Sequence, residues 1–255
     1  MALKSPIKAK PLNNPGESLD KQLQKVVYDD VVANVFASVV LIVMATTEWW
    51  KWYWESPPSP WLYTICALLF SAYTAWKVRR ALAKVKNLRL GRDGEKAIGQ
   101  FLESLRESGA KVFHDVIGEG FNLDHVVIHP TGVYVVETKT LSKPDRGEAK
   151  LVFDGRRVLK NNREMDRNAV TQVAAGGAWL RELLHSSTGH RFPVRPVVVY
   201  PGWFIQPTAE AKTSEVWVLN PKALPAFISN SKTRLSSEQV SLCAYHLSRH
   251  IRNAP

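Results

Sequence analysis

Two short apolar runs joined by a tight turn constrain the fold of this 255-residue chain more than any other feature. Val126–Ile128 and Val133–Val136 are rich in β-branched and aromatic residues, which strands favour. His129–Gly132 lies between them and places Pro and Gly as a turn requires. We therefore predict a β-hairpin that is buried on both faces.

Three charged residues lie at the open end of this hairpin. Asp124 stands where the first strand begins, and Glu137 and Lys139 stand where the second ends. The two-residue period of a strand puts Glu137 and Lys139 on one face, and antiparallel pairing brings Asp124 beside them. Buried charge is costly unless it is paired or bound to a metal, so two interpretations are open. One is a salt bridge at a sheet edge, and the other is a site in which Asp124 and Glu137 bind Mg²⁺ or Mn²⁺.

The order of Asp124, a four-residue apolar run and then Glu137-x-Lys139 resembles the core of the PD-(D/E)XK nuclease superfamily. Within it, residues 90–230 are similar to the nuclease-related domain called NERD. The resemblance implies an α/β fold, with a restriction-endonuclease-like mixed central sheet flanked by helices. It also implies a metal-dependent nuclease in which Asp124 and Glu137 hold Mg²⁺ or Mn²⁺. Lys139 would then position or activate the water that attacks a phosphodiester.

A helix is predicted to begin at Gly91 and to run to Glu107, with Gly109 as its stop. Its Gly-x-x-Gly-Glu opening looks like the first NERD helix, in which the Glu faces the active site. The resemblance therefore adds Glu95 to the site. On local grounds Glu95 is equally well explained as a first-turn carboxylate that the helix dipole favours.

A second helix is predicted from Asp166 to Leu184, and Gln172 lies among its apolar positions. In the nuclease family the helix after the core strands often carries a Gln directed at the active site. Asn168 and Gln172 match that pattern, whereas Ala169 stands where NERD members commonly have Pro. The resemblance thus adds Gln172 to the site, with a surface glutamine as the alternative.

A basic stretch begins within a further predicted hairpin at residues 151–159 and extends beyond it. The net charge of +11 suits a polyanionic partner, either nucleic acid or an anionic lipid surface. We expect nucleic acid, and DNA in particular, to contact this stretch, although a solvated basic rim is the alternative. Its members are Arg156, Arg157, Lys160, Arg163 and Arg167.

The N-terminal third contains two uncharged runs, residues 31–47 and 56–76, each near the length that crosses a bilayer. An aromatic cluster lies between them, and six basic residues without an acidic one follow at 77–89. These features predict a transmembrane helical hairpin at residues 26–80, with both ends in the cytoplasm of a bacterial cell and the span in its inner membrane. A soluble pair of helices is the alternative.

The predicted order is a flexible tail at residues 1–25, the hairpin at 26–80, a basic juxtamembrane linker at 81–89, the nuclease-like domain at 90–230 and a C-terminal helix at 231–255. The function expected from this order is a membrane-anchored, metal-dependent nuclease. Two other functions stay open. The same fold could serve as a non-catalytic module that binds nucleic acid or protein, or the chain could be a scaffold that acts through its hairpin.

Overall fold

The computed structural model describes residues 12–55, 60–143, 148–165 and 168–253. The chain divides into two compact units. One unit is Ser18–Leu90, and the other is Gly91–Pro255 together with the N-terminal residues up to Glu17. The candidate site belongs entirely to the second unit.

The first unit is helical. It contains α1 (Glu17–Val26), a π-helical turn (Val27–Val32), α2 (Ala33–Tyr53) and the first part of α3 (Pro60–Glu103). Residues 17–25, predicted to be part of a flexible tail, instead form a helix whose apolar side packs in a small cluster.

The two long helices of this unit run antiparallel. Ser38 Oγ donates to Thr74 Oγ1 at 2.8 Å, and Trp49 Nε1 donates to Thr64 Oγ1 at 2.8 Å. Among the helices of the described residues, the segment Glu17–Tyr53 is long and apolar enough to cross a membrane, and α3 does not meet that test. A hairpin with two membrane spans therefore stays a prediction.

Helix α3 continues without a break through the glycines at which a new helix was predicted to begin. The predicted start at Gly91 is wrong. A glycine inside a helix costs only about 1 kcal/mol relative to alanine, and the glycines of α3 are surrounded by helix-forming residues. The predicted stop is confirmed, since a short 3₁₀ turn at Ser104–Ser108 ends at Gly109, whose φ of 87° is left-handed.

The second unit contains the strands and the remaining helices. The strands of the described residues are, in chain order, β1 (Lys111–Ile117), β2 (Asn122–His129), β3 (Gly132–Thr138), β4 (Lys150–Phe153), β5 (Val158–Lys160), β6 (Arg163–Glu164), β7 (Val194–Val199), β8 (Phe204–Pro207) and β9 (Trp217–Leu219). The helices are α4 (Ala169–Thr188), α5 (Leu224–Ser229) and α6 (Ser237–Asn253).

A five-stranded sheet in the order β1-β2-β3-β7-β9 forms the centre of this unit. The predicted hairpin is confirmed: β2 pairs antiparallel with β3, from His129 opposite Gly132 to His125 opposite Val136. Strand β3 then pairs in parallel with β7, and β7 pairs in parallel with β9. Every residue of β3 is buried, as the prediction of a hairpin buried on both faces requires.

A second sheet, in the order β6-β5-β4-β8, lies outside the single mixed sheet that was predicted. The hairpin of β4 and β5 was expected, but its strands leave the central sheet and β4 pairs in parallel with β8. Strand β8 has no sequence signal of its own, because it is short, largely exposed and ends at a proline.

Side chains of successive residues point to opposite faces of the central sheet and form two cores. On one face Val126 and Val135 pack with α4 and α6, and on the other Val127 and Val136 pack with the end of α3 and with α5. The packing of α3 against the sheet is close at Gly94. A Cβ there would lie 1.7 Å from Thr140 Oγ1 and 2.9 Å from Thr140 Cβ.

Gly94→Ala should therefore destabilise the protein, even though Ala favours a helix more than Gly does. The added methyl has to push the helix away from the sheet, and overpacking of this kind typically costs about 1–3 kcal/mol. Thermal unfolding of the full-length chain would show this as a lower Tm. Gln100→Ala, at an exposed position of the same helix, is the control and should leave Tm nearly unchanged. Equal melting of the two variants would contradict the close packing.

Candidate functional site

The hairpin of β2 and β3 brings the first two carboxylates together. Because His125 lies opposite Val136, the next residues outward, Asp124 and Glu137, are neighbours across the pair. The backbone N–H of Thr138 donates to Asp124 Oδ2 at 2.7 Å. Glu137 is buried, with 4% of its surface exposed. Two acidic groups therefore meet at the edge of an apolar sheet.

Lys139 and Gln172 both contact Glu137. Lys139 Nζ donates to Glu137 Oε1 at 2.6 Å and to Gln172 Oε1 at 3.0 Å, and Gln172 Nε2 donates to the same Glu137 Oε1 at 2.8 Å. The three side chains thus form a closed ring of hydrogen bonds. Helix α4 holds Gln172 in place, because Asn168 Oδ1 accepts the backbone N–H groups of Val170 and Thr171 and so caps that helix.

Glu95 also lies in the field of these charges. The pKa of Glu95 is raised to about 7, chiefly by burial and then by the negative charges of Asp115 and Glu137, against the opposing effect of Lys139. Burial likewise raises the pKa of Asp124 well above its ordinary value, and Glu137 and Glu95 act in the same direction. The single ammonium of Lys139 does not offset this crowding of carboxylates.

Asp115 is a fourth carboxylate near the site, and it was not identified from the sequence. His114 pairs with His125 and Val116 with Leu123, so Asp115 lies opposite Asp124. Its φ of 49° is left-handed, which is uncommon outside glycine and clusters at functional sites. Asn122 Nδ2 donates to its Oδ1 at 3.0 Å. The signal available in the sequence was an Asp in a strand that also contains Val112, Phe113 and Val116.

The donor set fits a hard divalent cation that binds through two carboxylates. Asp124 and Glu137 offer oxygen ligands, and both side-chain contacts to Glu137 use Oε1 alone. Buried hydroxyls nearby, Thr138 Oγ1 and Tyr200 Oη, have no hydrogen-bond partner among the described residues. Among all the residues that the structure describes, no group of three or more His, Cys, Asp or Glu side chains is arranged to hold a metal. Water and phosphate would have to complete the coordination of Mg²⁺ or Mn²⁺, as they commonly do.

The basic stretch is only partly available to an anion. Arg157 already pairs with Asp154 at 3.3 Å and with Glu164 at 3.1 Å. Lys160 Nζ lies 4.8 Å from the centre of the Trp203 ring. Arg163 is exposed at the start of β6. Arg167 lies outside the described residues.

Two of these basic residues are linked to the site by contacts. Trp203 Nε1 donates to the carbonyl of Leu141 at 3.2 Å, which places Lys160 beside the segment that follows Lys139. Asn168 Nδ2 donates to the carbonyl of Arg156 at 3.4 Å, next to the start of α4.

The histidines of the central strands form a separate network on the other face of the sheet. His114 Nδ1 and His125 Nδ1 are 2.9 Å apart, and His114 Nε2 lies 2.8 Å from Glu103 Oε1. Burial lowers the pKa of His125 to about 3, so that this ring is neutral. None of these contacts reaches Lys139 or Gln172.

Residues 90–201 match the family model of the nuclease-related domain, NERD. The NERD match includes all five residues that were assigned to the site from the sequence: Glu95, Asp124, Glu137, Lys139 and Gln172. Among solved structures, the chain is similar to SfsA of Pyrococcus furiosus in complex with Ca²⁺, at 18% identity and a TM-score of 0.24. That match covers 51% of this chain and 54% of SfsA, so it spans about half of either protein. No curated protein matches the chain.

The raised pKa of Glu95 predicts a particular dependence of stability on pH. Between its ordinary value of 4.5 and about 7, the folded protein holds a proton that the unfolded chain has lost. The free energy of unfolding therefore falls as pH rises through this window. Glu95→Gln removes that effect and should be more stable than the wild type at pH 8 without metal, by about 1–3 kcal/mol.

Denaturant unfolding of the full-length chain at pH 4 and pH 8 would measure this difference. The gain should be absent at pH 4, where the carboxyl is protonated in both states. Glu119→Gln, at an exposed position in the loop between β1 and β2, is the matched control and should show no gain at pH 8. A Glu95→Gln variant that is no more stable than the wild type at pH 8 would show that Glu95 is not crowded.

Proposed function

We propose that this protein hydrolyses phosphodiester bonds in nucleic acid, DNA in particular, with Mg²⁺ or Mn²⁺ as cofactor. The observation that carries the proposal is the ring of hydrogen bonds between Glu137, Lys139 and Gln172 beside Asp124. A structural salt bridge would need only Lys139 and one carboxylate. Here three carboxyl groups, those of Glu95, Asp124 and Glu137, interact with one ammonium, and Asp115 adds a fourth acidic group beside Glu95. This arrangement is unfavourable until a cation binds. The NERD match of the same residues supports this function.

Asp124 and Glu137 are the residues that would hold the metal. When bound, the metal would supply a Lewis acid that stabilises the negative charge on the reacting phosphate. Lys139 is a quarter exposed and is held by Glu137 and Gln172, so its ammonium can reach both the phosphate and the attacking water. Gln172 fixes the position of that ammonium and of Glu137.

Glu95 is the group best suited to move a proton. Attack of water forms a new P–O bond and breaks the bond to the leaving oxygen, so the water loses a proton and the leaving oxygen gains one. A carboxyl with a pKa of about 7 can accept a proton and return it near neutral pH. Glu95 would accept the proton of the water in this scheme, while Lys139 keeps its charge.

A non-catalytic module that binds nucleic acid is the second candidate. It is favoured by the lack of a three-residue metal cluster in the described part of the chain. The exposed Arg163, and Lys160 above the Trp203 ring, would then contact the phosphates of a nucleic acid that is not cleaved. The two candidates differ in a single result, which is whether nucleic acid is cut when metal is added.

We also propose that the helical unit anchors the protein in a membrane. The apolar segment within Glu17–Tyr53 is mostly exposed, which is unfavourable in water and favourable in lipid. Trp50, Trp52 and Tyr53 are exposed at the end of α2, where amphipathic rings suit the headgroup layer. The basic residues 77–89 then favour a cytoplasmic position for the nuclease-related domain.

Asp124→Asn and Glu137→Gln should each lower metal-dependent cleavage of DNA by at least about 100-fold, because each removes a charge from the ligand pair. Lys139→Ala should lower cleavage as strongly but keep the rise in Tm that Mg²⁺ or Mn²⁺ produces, because Lys139 is not a ligand. Cleavage assays and thermal melts with and without metal would separate these effects, with Glu119→Gln as the control. DNA binding without cleavage by the wild type would favour the binding module. A wild type whose Tm does not respond to metal would exclude the metal site.

Reporter fusions would test the membrane anchor. A fusion after Arg89 should give a cytoplasmic signal and a fusion at Pro57 an external one, because a hairpin returns the chain to its starting side. If only the segment within residues 17–53 crosses, the fusion after Arg89 should instead give an external signal. Recovery of the full-length protein in the soluble fraction at moderate salt would contradict the anchor altogether.

A further inference from the structure

Three arginines line one small cavity at the opposite end of the central sheet from the carboxylates. Arg181 comes from α4, Arg195 from β7, and Arg234 from the segment before α6. The cavity lies beside Gly132, where β3 begins, whereas Glu137 lies where β3 ends. Gly132 and Glu137 are five residue-to-residue steps apart along β3, which corresponds to about 17 Å. The cavity is thus distinct from the candidate nuclease site.

Two of the three guanidinium groups at this cavity donate to backbone carbonyls rather than to carboxylates. Arg195 Nη1 donates to the carbonyl of Glu215 at 2.7 Å, and Arg181 Nη2 donates to the carbonyl of Val194 at 3.4 Å. The guanidinium of Arg195 also lies 5.3 Å from the centre of the Trp217 ring. These contacts orient the side chains of Arg195 and Arg181 but do not neutralise their positive charge.

No ion pair joins any of these three arginines to an acidic side chain among the residues that the structure describes. Glu215, the acidic residue of the cavity lining, contributes its carbonyl to Arg195, and the residue itself is exposed. Like charges gathered in this way repel one another, and a bound anion relieves the repulsion. The planar guanidinium group can donate two parallel hydrogen bonds to a phosphate or a carboxylate. Three such groups around one cavity suit a phosphate better, because it has more acceptor oxygens and more negative charge than a carboxylate.

The size of the cavity limits the ligand. Its volume is about 220 Å³, below the roughly 300–1,000 Å³ of pockets that enclose drug-sized ligands. A single phosphate group fits this limit, and a whole nucleotide would extend beyond it. Because Arg181 and Arg234 are exposed, the remainder of a larger molecule could lie outside the cavity.

We propose that Arg181, Arg195 and Arg234 form a binding site for a phosphate monoester or inorganic phosphate. This site is separate from the proposed hydrolysis and does not depend on it. Two sources share the required chemistry, namely a free phosphate and the phosphorylated end of a nucleic acid strand. Both present a phosphate group with at least three accessible oxygens and a charge between −1 and about −2 near neutral pH.

Isothermal titration of the full-length chain with inorganic phosphate would test the proposal. The experiment is done at low salt, with detergent present for the apolar helices and with EDTA to keep metal from the carboxylates. We expect a dissociation constant of about 1 mM or tighter. The Arg195→Gln variant and the double variant Arg181→Gln/Arg234→Gln should each weaken binding at least tenfold. The double variant changes only exposed side chains, so it keeps the test valid if Arg195→Gln fails to fold.

Two control variants test whether phosphate binds at this cavity and not elsewhere on the protein. Arg252→Gln removes one positive charge at a different surface cavity and should leave phosphate binding unchanged. Asp124→Asn should also bind phosphate like the wild type, so a failure of the proposed hydrolysis would not affect this result. No measurable binding by the wild type, or unchanged binding by the double variant, would overturn the proposal.

A pair of short oligonucleotides, identical except for a 5′-phosphate or a 5′-hydroxyl, would identify the source. Tighter binding of the phosphorylated strand, lost in the double variant, would assign the site to nucleic acid ends. Binding of inorganic phosphate without that preference would assign it to a free phosphate. A third result would contradict the proposal: both strands bind equally, the double variant does not change their binding, and inorganic phosphate does not bind. It would show only a general attraction of nucleic acid to a basic surface.

Discussion

The pairing of β3 with a neighbour on each side is the constraint on which this domain depends. Antiparallel pairing with β2 sets Asp124 beside Glu137, and parallel pairing with β7 fixes the backbone N–H of Lys139 on the carbonyl of Val199 at 3.0 Å. A slip of one residue in either pairing would turn every side chain of β3 to the opposite face. The charged residues would then enter an apolar core, so the register that buries the valines is also the register that assembles the site.

The electrostatics of the site run against the stability of the fold. Burial and mutual repulsion keep Glu95 and Asp124 protonated at a higher pH than is usual for carboxyl groups. A chain selected only to fold would have no use for several carboxyl groups gathered near one lysine. Such local conflict is expected where binding or catalysis requires it. The same reasoning applies to Asp115, whose backbone conformation is costly for any residue with a side chain.

The sequence predicted those parts of the domain that have a regular period. The hairpin of β2 and β3 and the stop at Gly109 followed from periodicity and turn chemistry, and the family resemblance directed attention to Glu95 and Gln172. The second sheet could not be predicted, because β8 pairs with a strand about fifty residues earlier and has no alternation of its own. The continuity of α3 was not predicted, because the glycines at 91, 94 and 99 indicate the start of a new helix. Packing, rather than local propensity, decides whether a helix continues. Asp115 was missed because a single Asp in a strand is a weak signal, and its backbone angle and its position opposite Asp124 are visible only in the structure.

The two cores on either side of the central sheet hold different members of the candidate site. Glu95 belongs to α3, which packs on one face through Ile98, and Gln172 belongs to α4, which packs on the other through Val173. Partial detachment of α3 or α4 from the sheet would displace Glu95 or Gln172 before the sheet itself unfolds. The proposed binding of metal would thus be a more sensitive gauge of correct assembly than secondary-structure content, and it would register damage to either layer in a single measurement.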